Sequence, residues 1–246
     1  MPTDKKPPTD FLSVGEKCEN IIFSKIIMPI LNSKMQIRHT VYFTVQMPEG
    51  SGPHPALIVL HGFGQRAEEF IKVFEKLPAQ GILVAAPQGP HQFYPKFPAR
   101  EVGFSWLTRY ERDQSVADFI GYMQQFVELL KNEHAADLTR LYVLGFSQGV
   151  SMAYRFWVQQ AAPVRGIIAV SSDLPPEVAD RLSFTPATNV LLVHGREDQM
   201  VSIQKAREAE TILRAHAIPV ELLEFDGGHY VPALAVERIS QMIYGF

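Results

Sequence analysis

The sequence predicts an α/β fold, one domain on a mostly parallel central sheet with helices on both faces. Three observations carry this. Six short apolar runs, at 56–60, 82–86, 141–144, 166–170, 190–193 and 220–225, alternate with stretches of helical spacing, the pattern of βα units. A chain of 246 residues that is 46% hydrophobic and 20% charged suits one large soluble domain with a sizeable core. Ahead of the runs, 36–46 alternates with period two, as a half-buried strand does, so the sheet opens with partly antiparallel strands.

In chain order, 1–19 is expected to be a flexible tail, its first ten residues rich in Pro, Lys and Asp, and 20–246 a single domain. In the segment 36–46, Ile37, Val41, Phe43 and Val45 interleave with polar neighbours, and 48–55 is a Pro/Gly turn. Phe70, Val73, Phe74 and Leu77 keep helical spacing after the first apolar run. Val116, Phe119, Ile120, Met123, Val127 and Leu130 do so before the third. Met152, Ala153, Phe156 and Trp157 mark another helix. Only 19 Pro-rich residues separate Val170 from Val190, which leaves little room for a helical lid. The last helix opens near Pro232, where a missing N–H costs nothing, and carries Val236, Ile239 and Ile243 on one stripe.

Several function classes are excluded by composition. Lys and Arg total 23 against 26 Asp and Glu, a net charge of −3, so nucleic acid and anionic membrane are not expected as main partners. Cys18 is the only cysteine, which removes intramolecular disulfides, Cys-based zinc sites and CxxC redox chemistry. No secretory signal is expected at the amino terminus, nor a span through a bilayer: the apolar segment 21–31 is broken by Ser24, Lys25 and Pro29. The expected location is the cytoplasm.

The informative motif is Gly145-Phe146-Ser147-Gln148-Gly149, a G-x-S-x-G between the strand 141–144 and a helix. A nucleophile elbow needs a sharp strand-to-helix turn with small residues at both ends, because the serine backbone is strained and neighbouring chains come close. The helix N-terminus adds positive potential and free N–H groups beside Ser147. Serine is a weak nucleophile without a base, and a histidine base needs a carboxylate to fix its tautomer. Asp198 follows the strand 190–193 in His194-Gly195-Arg196-Glu197-Asp198, and His229 follows the strand 220–225 in Asp226-Gly227-Gly228-His229. Both therefore fall at the carboxyl ends of parallel strands, in the chain order serine, acid, histidine. Glu197 and Asp226 are the rival acids. Among the other histidines, His54 and His134 are expected to be solvated, and His61 and His194 to brace backbone. An oxyanion needs two N–H donors. Gln148, after the nucleophile, supplies one, and Phe63, in His61-Gly62-Phe63-Gly64-Gln65 after the first parallel strand, is assigned the other.

With these residues in place, the chain resembles the α/β-hydrolase superfamily and, within it, the phospholipase/carboxylesterase family that includes acyl-protein thioesterases. Leu60-His61-Gly62-Phe63-Gly64, Ala86-Pro87-Gln88-Gly89-Pro90, Ser105-Trp106, the Gly-Phe-Ser-Gln-Gly form of the elbow, and the Asp198 and His229 segments carry the likeness, from about Thr40 onward. It implies an α/β-hydrolase fold without a large cap, Ser147 as nucleophile, Asp198 as acid, His229 as base, and N–H donors from Phe63 and Gln148. The family commonly has Ser-Trp-Phe-Asp where this chain has Ser105-Trp106-Leu107-Thr108, and Gly-Asp-Thr/Ser where it has Gly64-Gln65-Arg66. A general carboxylesterase is the resulting expectation.

The expected reaction is hydrolysis of a carboxylic ester or thioester through an acyl-enzyme, with no metal and no organic cofactor. Phe93, Tyr94 and Phe97, on the loop after the strand 82–86, and Trp106 are the candidate substrate wall. Small-molecule esters are the expected partners, and a homodimer is allowed. Of the rival readings, a dienelactone-hydrolase-like enzyme would use Cys as nucleophile, and Cys18 precedes the sheet. A serine peptidase usually needs added domains or caps for which this length has no room. A non-catalytic binding module would have lost a triad residue, and a dinucleotide-binding protein would carry G-x-G-x-x-G after a strand.

Overall fold

All six apolar runs fall on strands of one sheet in the computed structural model, which describes residues 31–245 apart from 97, 99, 100 and 185–187. The expected tail 1–19, Cys18 and Phe97 lie outside the described residues. By its contacts the chain divides into Met1–His39 and Thr40–Phe246. In the first unit, residues 31–39 form no helix or strand.

The second unit carries the elements. Strands β1 (Phe43–Gln46) and β2 (His54–Leu60) lead to helix α1 (Ala67–Phe70) and β3 (Leu83–Pro87), and β4 (His91–Phe93) and β5 (Gly103–Ser105) precede α2 (Arg112–His134). Then follow β6 (Ala136–Phe146), α3 (Gln148–Val158), β7 (Val164–Val170), α4 (Pro176–Ala179), β8 (Asn189–Gly195), α5 (Gln204–Ala215), β9 (Val220–Phe225) and α6 (Ala233–Tyr244). Seven strands form one sheet in the order β1-β3-β2-β6-β7-β8-β9. Only β1 is antiparallel to its neighbour; the other pairs are parallel.

Alternation along the strands sorts the core into two layers. Ile58, Val143, Ile167 and Leu192 face the layer of α2, α3 and α5, with Phe119, Met123, Phe156 and Leu213. Val59, Leu144, Ile168 and Val193 face the other, with Phe70 of α1 and Val236, Ile239 and Ile243 of α6. Because both faces are covered, the central strands read as unbroken apolar runs rather than as alternating ones.

Three local expectations are corrected. The strand expected over 36–46 is confined to Phe43–Gln46, which pairs with Pro87–Val84 of β3, and one further bond, from Gln88 N–H to Tyr42 O at 2.9 Å, ties down the residue before it. The helix expected around 70–77 is four residues of α1 followed by 3₁₀ turns; Phe70, Phe74 and Leu77 stay buried, while Val73 faces out, 41% exposed. His54, expected to be solvated, is buried at the start of β2, at the end of the sheet away from Leu60. The two-stranded β4–β5 hairpin and the amphipathic α5, with Ala206, Ala209 and Leu213 inward, were not anticipated.

Among the described residues no large cap stands over the strand ends; between β7 and β8 there are only α4 and a short 3₁₀ turn. None of the described helices is long and apolar enough to cross a membrane.

Candidate active site

Ser147 sits where β6 stops and α3 begins, with φ 52° and ψ −117°, a conformation that costs a residue bearing a Cβ about 1–3 kcal/mol. The flanking glycines make the turn possible. A Cβ on Gly145 would overlap the backbone of Gly149 and Val150, and one on Gly149 would overlap the carbonyl of Leu60. Glycine at 149 thus lets the start of α3 press against the end of β2, where the 61–65 turn begins. The Ser147 N–H donates to Val170 O at 2.9 Å, tying the elbow to β7.

The candidate acid and base, Asp198 and His229, come from the ends of β8 and β9. Gly195 pairs with Phe225 at the ends of β8 and β9, and the loops beyond interlock, with Glu197 N–H donating to Gly227 O at 2.9 Å. A Cβ on Gly195 would collide with the carbonyls of Gly227 and Gly228, so the interlock depends on a glycine there. Asp198 Oδ2 lies 2.8 Å from His229 Nδ1. A carboxylate only accepts, so Nδ1 carries the proton and Nε2 keeps a lone pair, the tautomer that a general base requires. Asp198 Oδ1 accepts the N–H groups of Met200 at 2.8 Å and Val201 at 2.9 Å. Burial pushes the Asp198 carboxyl upward, but the Val201 N–H, His229 and the Met200 N–H together outweigh it and hold its pKa below the ordinary value. The His229 ring packs on Phe146, the neighbour of Ser147, with centroids 4.9 Å apart. That contact brings the His229 imidazole to the elbow.

The rival acids have other surroundings. Asp226 is 83% exposed and paired with Arg196 at 2.6 Å, and Glu197 is exposed. His194, fully buried, donates from Nε2 to Val201 O at 2.8 Å with Asp198 Oδ2 at 3.4 Å, bracing the acid loop.

Opposite lies the turn that carries Phe63. Among the described residues the backbone N–H groups of Phe63 and Gln148 meet no acceptor. Gly62 N–H donates to Gln65 Oε1 at 2.7 Å, and Gly64 N–H to Phe104 O at 2.8 Å, so the turn is fixed to its own end and to β5. His61 is buried. Its Nδ1 donates to Gly62 O at 2.8 Å, while Nε2 accepts from the Gln88 amide at 2.7 Å and from Gly89 N–H at 3.0 Å. Burial lowers the His61 pKa to about 4, against a smaller upward pull from the Gly62 carbonyl, so this imidazole is a neutral strut.

The residues expected to wall the substrate take different positions. Phe93 is half-buried and stacks on the exposed Phe63 ring, centroids 4.6 Å apart, and Tyr94 is 65% exposed. Trp106 is instead wholly buried, against Phe119 and His61. Among the described residues no group of three or more His, Cys, Asp or Glu is placed to hold a metal ion.

Residues 42–245 match the phospholipase/carboxylesterase family. The chain belongs to that family. This phospholipase/carboxylesterase-family protein is a hydrolase, and its fold is shared by solved esterases and thioesterases. An esterase designated PE8 is 19% identical, with a TM-score of 0.67 over 83% of this chain and 98% of that one. Zea mays acyl-protein thioesterase 2 is 20% identical, with a TM-score of 0.61 over 83% and 98%. The Bacillus cereus carboxylesterase is 15% identical, with a TM-score of 0.63 over 83% and 94%. No curated protein matches this family member in sequence.

Proposed function

We propose that this protein is a serine esterase that hydrolyses carboxylic esters, and thioesters as related acyl donors, through a Ser147–His229–Asp198 triad and an acyl-enzyme. His229 Nε2 takes the Ser147 proton as the hydroxyl oxygen attacks the acyl carbon, and the N–H groups of Phe63 and Gln148 receive the resulting oxyanion. Protonated His229, stabilised by Asp198, then donates to the departing alcohol or thiol. A water activated by the same imidazole attacks the acyl-enzyme, and collapse of the second tetrahedral intermediate returns the proton to Ser147 and frees the acid.

The observation that carries the reading is the 2.8 Å bond from His229 to an Asp198 whose side chain is fully buried and held by two further N–H donors. A carboxylate sequestered in this way, in contact with an imidazole beside a strained serine, is the arrangement that general-base activation of a hydroxyl requires. With no large cap over the strand ends among the described residues, the site is read as open and broad in its esters.

The test is a series of p-nitrophenyl acyl esters of graded chain length, given to the wild type and to Ser147→Ala. Turnover by the wild type that disappears in the variant is expected. Equal turnover by both proteins would overturn the mechanism.

A further inference from the structure

We infer that Trp106 is a positioning residue that sets the spacing between the two halves of the oxyanion hole. The inference rests on the ester-hydrolase reading and names the device that aligns its two N–H donors. Trp106 reaches both donor segments at once. Its indole N–H donates to His61 O at 2.8 Å, at the root of the turn that presents Phe63. Its backbone N–H donates to the side-chain oxygen of Gln148 at 3.0 Å, and the main chain of Gln148 presents the second donor.

Neighbouring groups make this link rigid. The Gln148 side-chain amide donates to Ser105 Oγ and to Leu107 O, each at 3.0 Å, and Ser105 Oγ lies 2.7 Å from Leu107 O. The side chain that follows the nucleophile is therefore clasped by three consecutive residues, 105–107. The indole lies 4.8 Å from the His61 ring by centroid and meets Phe119 edge-on at 5.6 Å, so it has no room to turn. An indole N–H in so dry a place needs an acceptor, and the one it has is a backbone carbonyl of the turn. Displacing a donor by about 1 Å costs up to about 100-fold in rate, so a brace that joins the two donor segments acts on the transition state without touching substrate.

The test uses two variants, because the first changes a buried side chain. Trp106→Phe keeps an aromatic ring but loses the bond to His61 O; Gln148→Leu keeps the backbone donor but loses the clasp on 105–107. In each folded variant kcat for a p-nitrophenyl ester is expected to fall about 10- to 100-fold, with KM and the pH dependence of kcat unchanged. Affinity for a trifluoromethyl ketone, whose serine adduct places an oxyanion in the hole, is expected to fall by a similar factor. If Trp106→Phe does not fold, Gln148→Leu decides alone. Unchanged kcat and ketone affinity in a folded variant would overturn the inference, as would a rise in KM alone, which would mark a substrate contact. Ester hydrolysis that survives Ser147→Ala would instead overturn the underlying reading, so the two failures are distinguishable.

Discussion

The two halves of the site are held together by different means. On the acid–base side the carboxylate itself is braced locally, by N–H groups two and three residues further on and by His194 four residues back, and only then meets His229 across 31 positions. On the oxyanion side the braces are distant: His61 meets Gln88 across 27 positions and Trp106 across 45, and Trp106 meets Gln148 across 42. A short loop with a carboxylate can orient itself through an Asx-type turn, whereas two N–H donors from separate strands need a third segment to fix their separation.

The largest expected effects lie on the chemical half. Ser147→Ala should lower kcat by about 10⁶ and Asp198→Asn by about 10⁴, with the double variant no slower than Ser147→Ala alone, measured as ester turnover per mole of folded protein. A double variant much slower than either single one would mean that the two residues do not act as one unit.

On the oxyanion half the large effect is on stability. His61→Phe leaves the Gln88 amide and the Gly89 N–H without their buried acceptor and should cost about 4 kcal/mol in urea unfolding. The same histidine predicts a pH dependence. Its folded pKa, about 4, lies below the unfolded value of 6.5. Its stabilising contribution is therefore complete above pH 6.5 and is lost as the pH falls toward 4, on the order of 3 kcal/mol. Urea midpoints between pH 7 and 4 read this directly, and the slope should flatten in His61→Phe.

The smallest effect is expected outside both halves. Glu177 pairs with Arg112 and with the buried Arg155. Burial acts upward on its carboxyl, but its own N–H and the two guanidinium groups bring the pKa down to about 2. Its side chain is 47% exposed, so solvent screens the pair, and Glu177→Gln should cost only about 1 kcal/mol with turnover unchanged. A large loss of turnover would mean that the α2–α4 contact reaches the site.

The same contrast separates what was legible in the sequence from what was not. Ser147, Asp198 and His229 each announce themselves by a glycine-bounded turn just after an apolar run, and β9 occupies the run 220–225 residue for residue. The opposing turn was legible as a turn, but its supports were not. Trp106 reads as an aromatic beside an aromatic loop, and its burial depends on α2 and β2 closing over it, which no local pattern records. His61 does brace backbone, at Gly62 O and Gly89 N–H, but that Gly89 and Gln88 come from another strand end is not written in its own turn. Hairpin β4–β5 leaves no pattern in the sequence because its strands are three residues long, too short for a period of two to show. One signal did exist for α5: small and apolar residues at Ala206, Ala209 and Leu213 keep helical spacing.

Labelling with a fluorophosphonate, followed by intact mass and peptide mapping, tests whether the strained serine is the nucleophile. One adduct on Ser147, formed at a rate that drops sharply in Asp198→Asn and in His229→Gln, is the expected result. A stoichiometric adduct on any other residue, or labelling of Ser147 at an unchanged rate in both variants, would contradict the triad.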